Sequence, residues 1–154
     1  MMLVRSMMVR ASSTLLSRAA TIAIRFCALR RQFKNKDGSG EVQVLDYQGV
    51  QYRVLPWAAA TFALHFTAKG MVAMHNEMAS RVDADDDSLT AETHAIGSCL
   101  KVVCTTACVD GIEELRRACG GHGQQHLTPS RSLFPTPRPP PSLSPSLPPS
   151  RSRL

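Results

Sequence analysis

Nine of the ten prolines in this 154-residue chain lie after Gly123, and residues 124–154 contain neither Asp nor Glu. Proline fixes φ and removes a backbone donor, so a run such as PTPRPPPSLSPSLPPS rules out both helix and central strand. That segment is also short of the large apolar side chains a core requires. The break therefore separates residues 1–123, long enough for one domain, from a disordered Pro/Ser/Arg-rich tail over 124–154.

Charge divides at the same place. Residues 1–123 hold 14 Lys/Arg against 12 Asp/Glu, and the tail adds four Arg, which gives most of the net +6. A basic excess carried by a tail does not argue for nucleic acid as a partner. A second asymmetry stands at the front, where residues 1–36 carry eight Lys/Arg and no acid. This resembles a mitochondrial transit peptide, but the helical periodicity runs on without a break into IAIRFCALRRQF, so a bundle helix is the better reading. Arg5, Arg10, Arg18 and Arg25 interrupt that segment, and no membrane span is expected. Five cysteines without even spacing read as reduced thiols.

Apolar residues at Val4, Met8, Ala11, Leu15, Ala19, Ile22, Phe26, Leu29 and Phe33 predict a first helix that ends near Lys34, before the turn-forming NKDGSG. A second pattern runs from Leu45 through Tyr52, Leu55, Ala59, Phe62, Ala63, Phe66, Met71 and Met74 to Met78. Pro56 inside it predicts a kink or a break. DADDDS then forms a solvated loop whose Ser88 is placed to cap a third helix. That helix, Leu89 to Ala118, aligns Ala95, Cys99, Val102, Val103, Ala107, Ile112 and Leu115, and Gly120 and Gly121 supply a left-handed terminator. The expected fold is all-α, an antiparallel bundle of three long helices with no strand.

Taken singly, the candidate motifs are weak. Arg30 and Arg31 in RRQF form either a phosphate clamp or a solvated basic helix end, and the residues alone favour the second. Cys104, Cys108, Cys119, His122 and His126 lack the two close Cys pairs of a zinc site, so buried thiols and no metal are expected. GGHG is either a helix terminator or a backbone surface open to a ligand.

Taken in order, TIAIRFCALRRQF, EVQVLDYQGVQYRVLPWAAATFALHF and HAIGSCLKVVCTTACVDGIEELRRACGGHG resemble the C-terminal α-helical region of peroxisomal acyl-CoA oxidases. The resemblance covers nearly all of residues 1–123. It implies the acyl-CoA dehydrogenase/oxidase fold, a dimer, and an FAD site completed by the partner subunit. By resemblance, Arg30 contacts the FAD pyrophosphate with Phe33 beside the cofactor, Gln48 approaches the flavin nucleotide, and Arg117, Gly120 and Gly121 pack against FAD from the neighbouring subunit.

The family's reaction removes the α-proton of an acyl-CoA with a glutamate, passes the β-hydride to flavin, and regenerates the flavin with oxygen to give hydrogen peroxide. That glutamate lies beyond the Gly-Gly-His-Gly element, and no acid follows Glu114 here. The resemblance thus implies an incomplete oxidase, inactive alone, that lacks the catalytic base and the domains binding acyl-CoA and most of the FAD. The tail and the start at Met1 are expected to be departures from the family, and apolar stripes left partly exposed are expected to drive association. The alternative is a non-catalytic helical module that pairs with a full-length oxidase subunit. Ser152-Arg153-Leu154 nearly matches the Ser-Lys-Leu peroxisomal signal, so the peroxisome is the expected location.

Overall fold

The computed structural model describes residues 2–34 and 40–124. The expected turn at residues 35–39, the tail from residue 125 on, His126 and the C-terminal Ser-Arg-Leu lie outside the described residues. Helix α1 spans Met2–Leu29, strands β1 (Arg31–Lys34) and β2 (Glu41–Gln43) follow, and a 3-10 turn at Val44–Asp46 leads into α2 (Gln48–Val82). Helices α3 (Thr90–Ala118) and the short α4 (Gly121–Gln124) complete the described chain.

The three long helices run up, down and up. At one end the Arg5 guanidinium on α1 donates to Ser98 Oγ on α3 at 2.6 Å, and at the other Phe26 lies 5.3 Å from the His122 ring, just past α3. Helices α1 and α3 are therefore parallel, and α2 is antiparallel to both.

The buried face only partly follows the expected stripes: Ala19, Met71, Met78, Ile112 and Leu115 are buried as expected, and other marked positions turn outward. On α1 the buried stripe is Ser6, Val9, Ser12, Ser13, Leu16, Ala19, Ala20, Ala23 and Cys27, while Val4, Met8, Ala11 and Leu29 face outward. Small side chains let helices approach closely, and Ser6 and Ser12 do not spoil the seam because their hydroxyls turn back onto the helix. Ser6 Oγ donates to the Leu3 carbonyl at 2.8 Å and Ser12 Oγ to the Met8 carbonyl at 2.9 Å, a local bond that leaves no donor facing the neighbour.

On α2 the core side chains are Val54, Thr61, Leu64, Ala68, Met71 and Met78. Tyr52, Leu55, Phe62 and Phe66, expected inside, form an exposed stripe, with Tyr52 83% and Phe62 68% accessible. On α3, Cys99, Val102 and Val103 are likewise exposed, whereas Thr93, Gly97, Cys104, Cys108, Gly111, Ile112 and Leu115 are buried. Each helix thus carries two apolar faces, and the bundle closes on the one with the smaller residues.

Several local expectations are corrected. Helix α1 stops at Leu29 rather than near Lys34, because the chain becomes extended at Arg31 and pairs antiparallel with β2, Arg31 opposite Gln43 and Lys34 opposite Glu41. The strand pair itself was unexpected; the Arg30 carbonyl accepts the Val44 N–H at 2.8 Å, and Tyr47 Oη donates to the Gln32 carbonyl at 2.9 Å. The second helix begins at Gln48, and Pro56 does not break it. Pro56 is exposed, so water can reach the one carbonyl that loses its helical partner. Ser88 does not cap α3: its backbone N–H is taken by Asp86 Oδ1 at 3.0 Å, an Asx turn, and Leu89 stands at the cap position without a side-chain bond.

Among the described residues α3 is long and apolar enough to cross a membrane by length and composition, a segment the charge argument on the first helix did not consider. It packs along α1 and α2, which bury 28% of its most apolar stretch. Of the two expected terminator glycines, Gly120 takes the left-handed conformation at φ 61°, and Gly121 begins α4.

The tightest point of the seam is Gly111. A Cβ built there would lie 2.6 Å from Leu16 Cδ1 on α1 and 2.6 Å from Trp57 Cε3 on α2. Gly111→Ala should therefore force both side chains aside and lower unfolding stability by about 1–3 kcal/mol, the usual effect of overpacking. Urea denaturation followed by circular dichroism checks this, and an unchanged midpoint would mean that the three helices do not meet there.

Candidate functional site

All six residues singled out in the sequence lie at one end of the bundle. Arg30 directly follows α1, Phe33 is in β1, Gln48 opens α2, and Arg117, Gly120 and Gly121 close α3 and begin α4. The parallel course of α1 and α3 is what brings the first and last of these to the same end.

Arg30 is exposed, and its guanidinium has no ion pair or hydrogen bond among the described residues. It is a cation with no ion-pair partner among the described residues, at the start of a two-stranded ribbon. Phe33 stands on the ribbon at φ 63° with 69% of its surface accessible. An aromatic residue in the left-handed region is uncommon and costs on the order of 1 kcal/mol or more. The ribbon holds it there through the irregular register between Arg31 and Lys34, where β1 carries an extra residue.

Gln48 is exposed on the first turn of α2, where unpaired backbone N–H groups give the helix its positive end. Arg117 differs from Arg30 in having two carboxylate partners. Its Nε donates to Glu113 Oε1 at 3.0 Å and its Nη1 to Glu114 Oε1 at 3.2 Å. Gly120 and Gly121 have open space where a side chain would stand, so a ligand can reach their backbone.

A neighbouring residue not singled out in the sequence fixes this corner. Arg116 forks onto Glu113, Nε to Oε2 at 2.8 Å and Nη2 to Oε1 at 2.6 Å, while its Nη1 donates to the Gly123 carbonyl at 3.2 Å. The bond from Arg116, with Arg117 beside it, holds the Glu113 carboxyl below the usual range. Gly123 in turn presses on the Arg116 carbonyl and has no room for a Cβ. GGHG is therefore constrained at both ends, by conformation at Gly120 and by space at Gly123.

The five cysteines are free, and no group of His, Cys, Asp and Glu with metal-binding geometry occurs among the described residues. Cys27, Cys104, Cys108 and Cys119 are buried and Cys99 is exposed. Burial pushes the Cys119 thiol up to about 11, with Cys27 adding to it. A thiol with a raised folded pKa keeps its proton while the unfolded thiol loses it, so stability should fall as pH rises from about 9 toward 11. The full loss is on the order of 3 kcal/mol. In the same way, a maleimide at pH 7 should label Cys99 first and reach the other four only on unfolding; peptide mass spectrometry reads the order.

Comparison with known proteins gives a consistent result. A family model described as acyl-CoA oxidase, C-alpha1 domain, matches residues 1–134. Peroxisomal acyl-coenzyme A oxidase 1 of Arabidopsis thaliana is 42% identical over 123 residues, covering 80% of this chain and 18% of that protein. The crystal structure of an acyl-CoA oxidase from Lycopersicon esculentum (tomato) superposes with a TM-score of 0.76 at 40% identity, over 81% of this chain and 19% of that one. Acyl-CoA oxidase-1 of Caenorhabditis elegans, solved in complex with FAD and ATP, gives a TM-score of 0.74 at 39% identity, over 78% of this chain and 18% of its own. The chain thus spans about a fifth of the length of the relatives it matches.

Proposed function

The chain belongs to the acyl-CoA oxidase C-alpha1 domain family, and from that premise we propose that it supplies one corner of the flavin site of a peroxisomal acyl-CoA oxidase. The observation that carries this reading is the family match over residues 1–134, joined to the gathering of Arg30, Phe33, Gln48, Gly120 and Gly121 at one end of the bundle.

The donor set fits FAD. A guanidinium with no ion-pair partner among the described residues suits a pyrophosphate, since its planar fork meets phosphate oxygens two at a time. Arg30 would hold that group, the exposed ring of Phe33 would lie against the cofactor, and the Gln48 amide would donate to the nucleotide. Gly120 and Gly121 would admit it to within reach of their backbone N–H groups. Arg117 fits less well as a direct ligand, because Glu113 and Glu114 already occupy its guanidinium; it would instead stiffen the α3 terminus.

Held by these residues, FAD would supply the hydride acceptor and the route of electrons to oxygen for the conversion of acyl-CoA and O2 to trans-2-enoyl-CoA and hydrogen peroxide. The residues of this chain orient the cofactor and contribute no base, since no acid follows Glu114. Proton abstraction and positioning of the acyl group both need groups from outside residues 1–154. A homodimer, acyl-CoA as substrate and the peroxisome as location complete the proposal.

Purified alone and supplied with FAD and acyl-CoA, the chain should form peroxide no faster than a flavin-only blank. A chimera in which residues 1–123 replace the matching region of the tomato oxidase should retain FAD and turn over. Arg30→Gln in that chimera should weaken FAD by about 1.5–3 kcal/mol, the range for a hydrogen bond to a charged group. Peroxide from the isolated chain, or a chimera whose FAD affinity ignores Arg30, would overturn the proposal.

The exposed stripe Tyr52, Leu55, Phe62 and Phe66 favours a second reading, a non-catalytic module that pairs with a full-length oxidase subunit. That reading expects co-purification with such a subunit, lost on Phe62→Ser with Phe66→Ser. Retention of the pair by the doubly substituted chain would count against it.

A further inference from the structure

Helices α1 and α2 together carry Arg5, Arg10, Arg18, Arg25, Arg53, Lys69 and Arg81 against a single acid, Glu77. Glu77 is taken by Arg81 at 2.8 Å. Where two such helices lie side by side, the space between them has a positive potential that nothing on either helix cancels.

That space is a groove of about 320 Å³, lined by Arg10, Ser13 and Thr14 from α1 and by His65 and Lys69 from α2, with Ala68 and Val72 at its floor and wall. No carboxylate lines it. Neither Arg10 nor Lys69 has an ion pair or side-chain hydrogen bond among the described residues.

Ser13 gives a second and independent sign. It is only 4% exposed, yet its hydroxyl has no hydrogen-bond partner among the described residues. Its neighbours on α1 behave otherwise: Ser12 Oγ donates to the Met8 carbonyl at 2.9 Å and Ser17 Oγ to the Thr14 carbonyl at 3.1 Å. Thr14 also turns its hydroxyl onto the Arg10 carbonyl at 3.1 Å. A groove-lining hydroxyl that makes no bond to its own helix is free to donate to whatever occupies the groove.

We propose that the α1–α2 groove binds a phosphate-bearing anion, with Arg10 and Lys69 as its cationic walls and the Ser13 hydroxyl and His65 ring as donors. Arginine meets phosphate with a planar fork and lysine with a mobile point charge, so the pair suits a multiply charged tetrahedral group better than a carboxylate. A second groove of about 440 Å³ continues from Ser13, Thr14 and His65 toward Ile24, Ala58 and Phe62. Its only titratable side chain is His65, and it is lined mainly by apolar and hydroxyl-bearing side chains. A phosphate ester with an apolar body would fill both, its head group between Arg10 and Lys69.

Equilibrium dialysis of the full chain against radiolabelled inorganic phosphate and against octyl phosphate tests this. Saturable uptake of one equivalent per chain is expected, with Arg10→Gln and Lys69→Gln each weakening it about tenfold. Ser13→Ala, a substitution a helix accepts readily, should weaken it about threefold with unchanged circular dichroism. Arg53→Gln, a cation of α2 outside the groove, should leave it unchanged. Tighter binding of octyl phosphate assigns the site to an ester, and equal binding assigns it to free phosphate. Absence of saturable binding, or an equal loss from Arg53→Gln, would overturn the proposal.

Discussion

The bundle depends on the close approach of its helices at small residues. Gly111 admits Leu16 and Trp57 to the same point from two other helices, and Ser12, Ser13, Ala19, Ala20, Ala23 and Cys27 keep α1 thin along its length. Interiors are packed to crystal-like density, so a seam of small residues fixes helix separation more tightly than one of large flexible side chains. With that separation set, α1 and α3 run in parallel and the residues following each arrive together. The position of Arg30 relative to Gly120 is thus decided more than two helical turns away, at Gly111 and Leu16.

Much of this was legible in the sequence, and its failures have physical causes. Three helices, their order, the glycine terminator and the buried thiols follow from spacing and from conformational preference. Which face turns inward does not, because Tyr52, Leu55, Phe62 and Phe66 form as regular a stripe as Val54, Thr61, Leu64 and Ala68. Periodicity detects a stripe and cannot choose between two. The strand pair was also out of reach, since strands of four and three residues carry no alternation worth reading and rely on Tyr47 bonding across to Gln32. Pro56 shows the converse: a strong local preference yields when the lost bond lies on an exposed face.

The site divides in the same way. Arg30 and Arg31 look alike in RRQF, and only the ordered series of motifs gave one of them a role. Arg117 sits in an equally suggestive stretch, yet Glu113 and Glu114 hold its guanidinium, a fact that depends on rotamers and not on spacing. The acid-free first helix was visible as an imbalance without a purpose. It gained one only once Lys69 and His65 of the second helix stood opposite Arg10.

The up, down, up order also arranges the helix dipoles. At the end that carries Arg30 and Gly120, two helices present their carbonyl termini and one presents its amide terminus, so the backbone alone leaves that end with a partial negative charge. Arg30, Arg31, Arg116 and Arg117 stand at or just past those two carbonyl termini. Some of their positive charge therefore offsets the peptide groups behind them, and the field a bound anion meets is weaker than four guanidinium groups would suggest. Discrimination at this end must come from the directions in which donors point, while raw attraction belongs to the groove along α1 and α2, where no helix terminates.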